Sequence, residues 1–242
     1  MRDLGVFISS NGDFSPHITM VRKACLQRIG WICRSFNNRT PSFMRFMYEV
    51  YIRSKLDYGS QVWAPIKLGE IDSLEFILRV WLKKIPTLRQ FHHWERLRML
   101  GVSSIQRRME RYIIIYLWKI FLHKVPQIEG ITRRWSGLRG WKAVIPKLSK
   151  NKSVQKLRDG SFAVRVARLF NCLPQQVRNA TVFNTWEFKK ILDEFLSRLP
   201  DKPRDPSSGC YPQATDPITG LHSNSITAWS QLLKRENPSY PW

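Results

Sequence analysis

Residues 103–142, SSIQRRMERYIIIYLWKIFLHKVPQIEGITRRWSGLRGWK, hold the longest helical pattern in the chain and, directly after it, the densest mixture of arginine and tryptophan. Ser103 and Gln106 have the spacing of a capping box, and Pro126 followed by Gly130 marks the end of the pattern. The stretch therefore predicts a helix of about 22 residues, around which we expect the rest of the chain to be arranged.

The predicted helix has an apolar side and a cationic side. At about 100° per residue, the apolar side consists of Met109, Ile113, Tyr116, Leu117, Ile120 and Phe121, and the opposite side of Arg107, Arg108, Arg111 and Lys119. Since residues 112–118 are apolar all round, other elements should cover the middle of the helix. A membrane span needs roughly 20 apolar residues, and the charges at positions 111 and 119 interrupt this run well short of that. The sequence predicts a core helix, with no membrane partner.

The chain carries a large excess of positive charge. Its 242 residues include 40 Lys and Arg against 18 Asp and Glu, which gives a formal charge of +22 and a pI near 10.4. Such a chain favours polyanionic partners, and nucleic acid before all others. An anionic membrane surface is the second candidate. It is disfavoured because the basic residues are spread through predicted globular helices instead of one amphipathic arm.

Neither the cysteines nor the amino terminus indicates export or metal binding. The four cysteines form no C-x-x-C pair and have no zinc-type spacing to histidine, so we expect reduced thiols in an intracellular protein, nuclear or cytoplasmic. The apolar run at residues 4–8 is too short for a signal peptide. His92 and His93 have no third ligand near them in sequence, and a turn with a helix start is the favoured interpretation. We expect no metal and no other cofactor.

Shorter patterns complete the predicted fold. Ser15-Pro16 and Thr40-Pro41 are helix starts, because proline is favoured in the first turn of a helix. Further helices are predicted over residues 15–36, 41–58, 71–82, 94–100, 161–173 and 183–199, and short strands over 4–8 and 141–145. The expected fold is mainly α: a helical bundle with a short N-terminal β-strand or hairpin and a small basic α+β C-terminal region.

Changes in composition divide the chain into four predicted segments. Residues 1–14 hold a strand and a turn signal, and residues 15–125 form an all-helical unit. In residues 126–199 basic side chains become dense, and Asp159 is the only acidic residue between Ile131 and Ala180. Residues 200–242 are rich in proline, glycine and polar side chains. Apart from one or two helical turns after Ile226, they are predicted to be a linker and a mostly disordered tail.

Several short motifs follow one another in a fixed order. They are DLGVFISSNGDFSPHI at 3–18, RSKLDYGSQVWAP at 53–65, Pro86 with Arg89, Glu95-Arg96-Leu97, Leu100-Gly101, Arg107-Arg108, RDGSF at 158–162, Arg165-Val166, NCLP at 171–174, Val177 and Phe188-Lys189. In this order they resemble the carboxyl-terminal third of the reverse transcriptase of jockey-like non-LTR retrotransposons, from the last palm strands through the thumb. The resemblance covers about the first 200 residues. Phe170 departs from it, since a tryptophan is usual there.

The resemblance implies a nucleic-acid-binding fragment of an RNA-directed DNA polymerase. Its thumb would grip RNA or the RNA–DNA duplex of template and primer through non-specific backbone contacts. Polymerases of this class need palm carboxylates to hold two metal ions, which the family carries as tyrosine-x-aspartate-aspartate. The chain has no Asp-Asp pair, and the resemblance begins after that motif. We therefore expect no catalytic residues here and no polymerisation by this chain alone, with the palm in a missing segment.

The candidate nucleic-acid-binding residues lie on helices and in the basic stretch with tryptophans. Arginine and lysine neutralise phosphates, and tryptophan stacks on exposed bases. The set consists of Arg22, Lys23, Arg28, Arg107, Arg108, Arg111, Lys119, Arg133, Arg134, Trp135, Arg139, Trp141 and Lys142. For the glycine-containing loop at 132–142, the alternative is that its tryptophans fill the core while its arginines are merely solvated. For the helical cations, the alternative is an ordinary wet helix face.

Two other functions remain open from the sequence. One is a non-catalytic interaction module, whose basic face docks an acidic protein or a membrane surface. The other is a decayed open reading frame without a retained role. Strong salt dependence of oligonucleotide binding would separate the nucleic-acid-binding hypothesis from the interaction module.

Overall fold

The chain folds into helices with two small sheets. The structure is a computed structural model that describes residues 1–126, 131–137, 140–145, 161–180, 184–217 and 219–239. Over these residues the fold is mainly α-helical with short β-hairpins, as the sequence predicts. No helix in this part of the chain has the length and apolar character that crossing a bilayer requires.

The elements follow one another in a simple order. In the first half of the chain they are β1 (Arg2–Asp3), β2 (Val6–Phe7), α1 (Ser15–Ser35), α2 (Pro41–Met47), a π-helical segment (Tyr48–Arg53), α3 (Ser54–Asp57), α4 (Ser60–Trp63), α5 (Leu68–Leu82), a 3₁₀ turn (Pro86–Leu88), α6 (His93–Leu100) and α7 (Ile105–Phe121). They continue with β3 (Thr132–Trp135), β4 (Trp141–Val144), α8 (Phe162–Asn171), α9 (Gln175–Arg178), α10 (Thr185–Arg198) and α11 (Ile226–Glu236).

The chain divides into two compact units. The first consists of Met1–Met109 with Asp201–Tyr211, and the second of Glu110–Pro200 with Pro212–Trp242. The division falls inside α7, whereas the composition places a boundary after residue 125. The segment after Pro200 is divided as well, with Asp201–Tyr211 in the first unit and the residues from Pro212 in the second.

The core of the first unit follows the predicted periodicity. Along α1 the buried residues are Ile18, Val21, Cys25, Ile29 and Ile32. The helix packs against α5, whose Leu74, Ile77, Leu78, Trp81 and Leu82 are buried. α6 ends at Gly101, which has a left-handed backbone (φ +66°), as the sequence predicts. Both helices therefore bury the stripe that their sequences mark as apolar.

The amino-terminal strand pairs differently from the prediction. β1 and β2 form an antiparallel hairpin in which Arg2 faces Phe7 and Asp3 faces Val6. The turn between them is Leu4–Gly5, where both residues have positive φ. A two-residue turn of this kind needs a glycine or similar residue, and Gly5 provides it. The predicted strand at residues 4–8 therefore begins two residues later than expected and has a partner before it.

The central helix is shorter than predicted. α7 spans 17 residues, and its first turn is capped by Ser104, whose hydroxyl accepts a hydrogen bond from the Arg107 N–H at 3.2 Å. The sequence predicted Ser103 as the N-cap residue, which was wrong by one position. After Phe121 the backbone turns left-handed at His123 (φ 53°), and the Lys124 N–H donates to the Lys119 carbonyl at 2.9 Å. This Schellman-type closure ends the helix before Pro126.

The carboxyl-terminal segment is more ordered than the prediction of a mostly disordered tail. α11 begins at Ser225, whose side chain accepts from the Ala228 N–H, and its residues Ile226–Ser230 are buried. The Ile226 N–H donates to the Glu110 carboxylate at 2.7 Å, and the Trp229 indole donates to Asn224 Oδ1 at 3.0 Å. The sequence predicted one or two turns after Ile226, but the length of the helix depends in part on Glu110, which lies more than a hundred residues away in sequence.

Candidate nucleic-acid interface

The basic stretch expected as a loop is a β-hairpin. β3 and β4 pair antiparallel, with Thr132 facing Val144, Arg133 facing Ala143, Arg134 facing Lys142 and Trp135 facing Trp141. Since successive side chains of a strand point to opposite faces, Arg133 and Trp135 share a face with Trp141 and Ala143. Arg134 and Lys142 lie on the other face.

Arg133 belongs to the packed interior of the second unit. Its guanidinium carbon lies 4.5 Å from the ring centre of Trp141, 4.9 Å from that of Trp118 and 5.7 Å from that of Phe121. Nη2 donates to the Arg178 carbonyl at 3.1 Å. Burial lowers the pKa of this guanidinium. Arg133 therefore joins the hairpin to α7 and is poorly placed to meet a phosphate.

Three polar side chains at the carboxyl ends of α8 and α9 hold the hairpin. The amide of Asn171 accepts from the Ala143 N–H and donates to the Ala143 carbonyl, both at 2.9 Å. Asn179 Oδ1 accepts from the Trp141 N–H at 2.9 Å. The buried Arg178 donates to the Trp141 carbonyl at 2.9 Å and to the Leu173 carbonyl at 2.8 Å. These bonds satisfy backbone groups along β4 and hold the hairpin in place.

The close approach of Asn179 requires a glycine in the turn. Gly140 has φ +67°, and a Cβ atom added there would lie 2.2 Å from Asn179 Oδ1. A side chain at this position is therefore excluded both by the backbone and by its neighbour.

The outward face of the hairpin carries cations without acidic partners. Arg134 is exposed and Lys142 is partly exposed. Among the described residues neither forms an ion pair or a side-chain hydrogen bond. Lys234 of α11 lies near Lys142. Burial lowers the pKa of the Lys234 ammonium, and the positive charges of Arg178 and Lys142 lower it further. We name Arg134 and Lys142 the hairpin cations.

The two tryptophans of the hairpin have different environments. Trp141 is partly buried on Arg133, and its ring meets that of Trp135 edge to face, with centres 5.4 Å apart at 75°. The side chain of Trp135 itself is 54% exposed. The interpretation that both tryptophans fill the core while the arginines are solvated therefore does not hold, since Arg133 is packed inside and Trp135 lies at the surface.

The predicted binding residues at the start of α7 have partners inside the first unit. Arg108 forms a two-point ion pair with Asp57, with distances of 2.7 and 2.8 Å. Asp57 also accepts from Arg53 Nε at 3.4 Å. Arg107 is buried, with 3% of its surface exposed. These arginines are part of the packing, although the sequence places them on a cationic face.

The predicted cations of α1 differ from one another. Arg28 donates to the Tyr51 carbonyl at 2.6 Å, and the guanidinium of Arg22 lies 5.1 Å from the ring centre of Phe76. Lys23 is exposed. Of the three, Lys23 alone projects into solvent as the binding hypothesis requires.

The remaining predicted residues belong to the second unit. Arg111 pairs with Asp193, with Nη2 at 2.6 Å from the carboxylate, and Lys119 is partly exposed. Arg139 lies outside the described residues. The structure thus places Arg133, Arg134, Trp135, Trp141 and Lys142 on one hairpin, whereas the predicted residues of α1 and α7 lie on other elements.

The residues that position the hairpin were missed by sequence reasoning. Asn171, Arg178 and Asn179 occur in a segment that the sequence marks only as a helix end. Nothing in their local pattern indicates a role in a β-hairpin 28 to 45 residues earlier. Among the described residues no group of three or more His, Cys, Asp or Glu side chains could hold a metal ion. The arrangement can bind an anion through charge, and it contains no nucleophile paired with a base.

Comparison with known proteins gives little guidance to function. No protein-family model matches the chain, and no solved structure matches it. An uncharacterized protein of Caenorhabditis elegans is 26% identical over 85 residues, which are 35% of this chain and 43% of that protein. The chain therefore spans less than half the length of this relative.

Proposed function

We propose that the chain binds nucleic acid and neutralises backbone phosphates with the hairpin cations. The observation that carries this proposal is the placement of Arg134 directly opposite Lys142, with no acid paired to either among the described residues. Like charges at opposite strand positions repel each other. A phosphate between them relieves that repulsion and gains two charge-assisted contacts.

The resemblance to jockey-like reverse transcriptases provides a biological setting for this proposal. In that setting the chain is a thumb and post-thumb part of an RNA-directed DNA polymerase, and its partner is RNA or an RNA–DNA duplex. The net charge of +22 favours such a partner. An in-frame upstream sequence with a tyrosine-x-aspartate-aspartate motif would support this setting, and it can be sought without any assay.

The test is the salt dependence of binding to an RNA–DNA duplex. Each cation that contacts a phosphate contributes about 0.9 to the slope of log affinity against log salt. In the double variant Arg134→Gln with Lys142→Gln, we expect the magnitude of this negative slope to decrease by about 2 relative to the unchanged chain. Its affinity should therefore depend less steeply on salt. Fluorescence anisotropy between about 50 and 200 mM salt measures this slope.

The matched control is Lys83→Gln with Lys84→Gln. Both lysines are exposed residues of the first unit, so the control removes the same charge from the chain. We expect the control to leave the slope nearly unchanged. Equal effects of the two double variants would show that binding depends on total charge alone. Absence of binding by the unchanged chain at low salt would exclude the function itself.

A further inference from the structure

Trp135, the exposed tryptophan of the hairpin, lies at the outer end of a row of packed side chains, which we call the column. The column runs from Trp118 of α7 through the guanidinium of Arg133 at 4.9 Å to Trp141 at 4.5 Å. Trp135 continues it through the edge-to-face contact with Trp141. At the interior end, Trp118 is stacked on Phe188 with ring centres 4.0 Å apart. Each member contacts the next, and Trp135 at the outer end is 54% exposed.

Other exposed tryptophans in the described part of the chain have different neighbours. Trp186 is 58% exposed, but the Lys190 ammonium lies 3.5 Å from its ring centre. Trp31 is 44% exposed and meets the rings of Phe36 and Tyr51. Trp135 therefore combines an exposed indole with a packed support. The hairpin cations lie on the opposite face of the same two strands, one position along from Trp135 and Trp141.

We infer that Trp135 is a stacking platform for an unpaired base, and that the hairpin binds single-stranded nucleic acid in preference to duplex. The inference rests on the proposed function: the hairpin cations hold the backbone on one face of the hairpin, and a flexible single strand passes around its edge to place a base on Trp135 on the other face. Base–aromatic stacking contributes about 1–3 kcal/mol per base and requires a base with a free face. The bases of an intact duplex are stacked on each other and offer no such face. Single strands therefore gain a contact that duplexes lack.

The experiment compares two probes and three variants of the full chain. The probes are an oligouridylate of about 20 nucleotides, longer than the 4–16 nucleotides that single-strand modules cover, and an RNA–DNA duplex of the same length. The variants are Trp135→Ala, Trp135→Phe and the control Trp186→Ala. Circular dichroism verifies that helical content is unchanged.

We expect Trp135→Ala to weaken oligouridylate binding about tenfold and duplex binding less than about twofold. Trp135→Phe should retain most of the affinity while losing the quenching of tryptophan fluorescence that residue 135 contributes on binding. Because this second readout uses Trp135→Phe, it remains valid if Trp135→Ala disturbs folding. Trp186→Ala should leave both affinities unchanged.

The outcomes separate this inference from the proposed function. If Trp135→Ala weakens neither probe, or weakens both equally, the stacking platform is excluded while phosphate binding stands. An equal loss on both probes would indicate a side chain wedged into the duplex instead. If the unchanged chain binds neither probe at low salt, both the inference and the proposed function fail.

Discussion

Two pairs of cations in this molecule show how differently the same residue types are used. In the first unit, Arg108 and Arg53 converge on the carboxylate of Asp57. On the hairpin of the second unit, Arg134 and Lys142 face each other with no carboxylate paired to either among the described residues. The sequence contains 40 basic residues, and their number alone does not distinguish the two uses.

The ability of a cation to bind a phosphate depends on whether a carboxylate of the protein already pairs with it. The Arg108–Asp57 pair is largely shielded, with 18% and 24% of the two side chains exposed. Its arginine would have to abandon a two-point ion pair in order to reach a phosphate. Among the described residues the hairpin cations pair with no acid, so a phosphate can bind them without breaking an ion pair. Predictions that alter either side of this contrast test it directly.

The largest expected effect is on the neutralised side. Asp57→Ala removes the carboxylate that both arginines contact, at a place where Arg108 is largely shielded from solvent. Breaking a fully buried pair costs about 3–5 kcal/mol, so we expect a loss of about 2–3 kcal/mol in the free energy of unfolding for this partly shielded pair. Urea denaturation followed by circular dichroism measures it.

Glu49→Ala is the matched control for this variant. Glu49 also contacts two arginines, Arg45 and Arg53, each at 3.3 Å. Its side chain is 37% exposed, against 24% for Asp57, and Arg45 is 49% exposed, against 18% for Arg108. Exposed pairs contribute about 0–1 kcal/mol, so the control should have little effect. A loss no larger for Asp57→Ala than for Glu49→Ala would remove the distinction between the two kinds of cation.

The first unit also buries an acid that is neutralised by a proton. Glu75 is 1% exposed, and its Oε1 accepts from the Gln106 N–H at 3.0 Å at the start of α7. Burial raises the pKa of its carboxyl to about 8, and the Gln106 N–H opposes this shift. The folded protein therefore retains a proton that the unfolded chain releases above the ordinary value of 4.5. Stability must fall as the pH rises towards 8.

Glu75→Gln should remove this pH dependence. His93 acts in a different range, because burial lowers its pKa from 6.5 to about 4 and its contribution is lost only as the pH falls below 6.5. Between pH 6.5 and 8 we expect the unchanged protein to lose about 2 kcal/mol through Glu75, at about 1.4 kcal/mol per pH unit. Urea denaturation at several pH values should give a flatter profile for Glu75→Gln. Identical slopes would mean that Glu75 is ionised in the folded protein.

Periodicity was sufficient to predict most of the fold, because helices bury stripes that are local in sequence. The apolar positions of α1 and α5 and the glycine after α6 all lie within one helix length of the features that identify them. Asp57 and Tyr58, which belong to the motif at residues 53–65, form hydrogen bonds within the first unit. Asp57 pairs with Arg108, and the Tyr58 hydroxyl donates to the Leu4 carbonyl at 2.8 Å.

The candidate site was predictable only as a stretch of sequence. The pattern TRRWSGLRGWK indicates charge and aromatic rings, but it does not say which of two adjacent arginines enters the interior. That choice is made by Trp118 and Phe121 of α7 and by the Arg178 carbonyl, which are remote in sequence. The same remoteness explains why the sequence predicted only one or two turns of α11, since its first turn depends on Glu110.

The smallest expected effect on the free energy of unfolding is that of replacing the hairpin cations. Replacing Arg134 and Lys142 by glutamine removes the repulsion between opposite strand positions and breaks no ion pair, so the free energy of unfolding should be unchanged or rise by about 0.5 kcal/mol. Arg133→Gln, one position away, is the control. It should cost about 2 kcal/mol, because it removes the ring contacts and the bond to the Arg178 carbonyl. A loss above about 1 kcal/mol in the double variant would make the hairpin cations structural, and their availability to a phosphate would then have no basis.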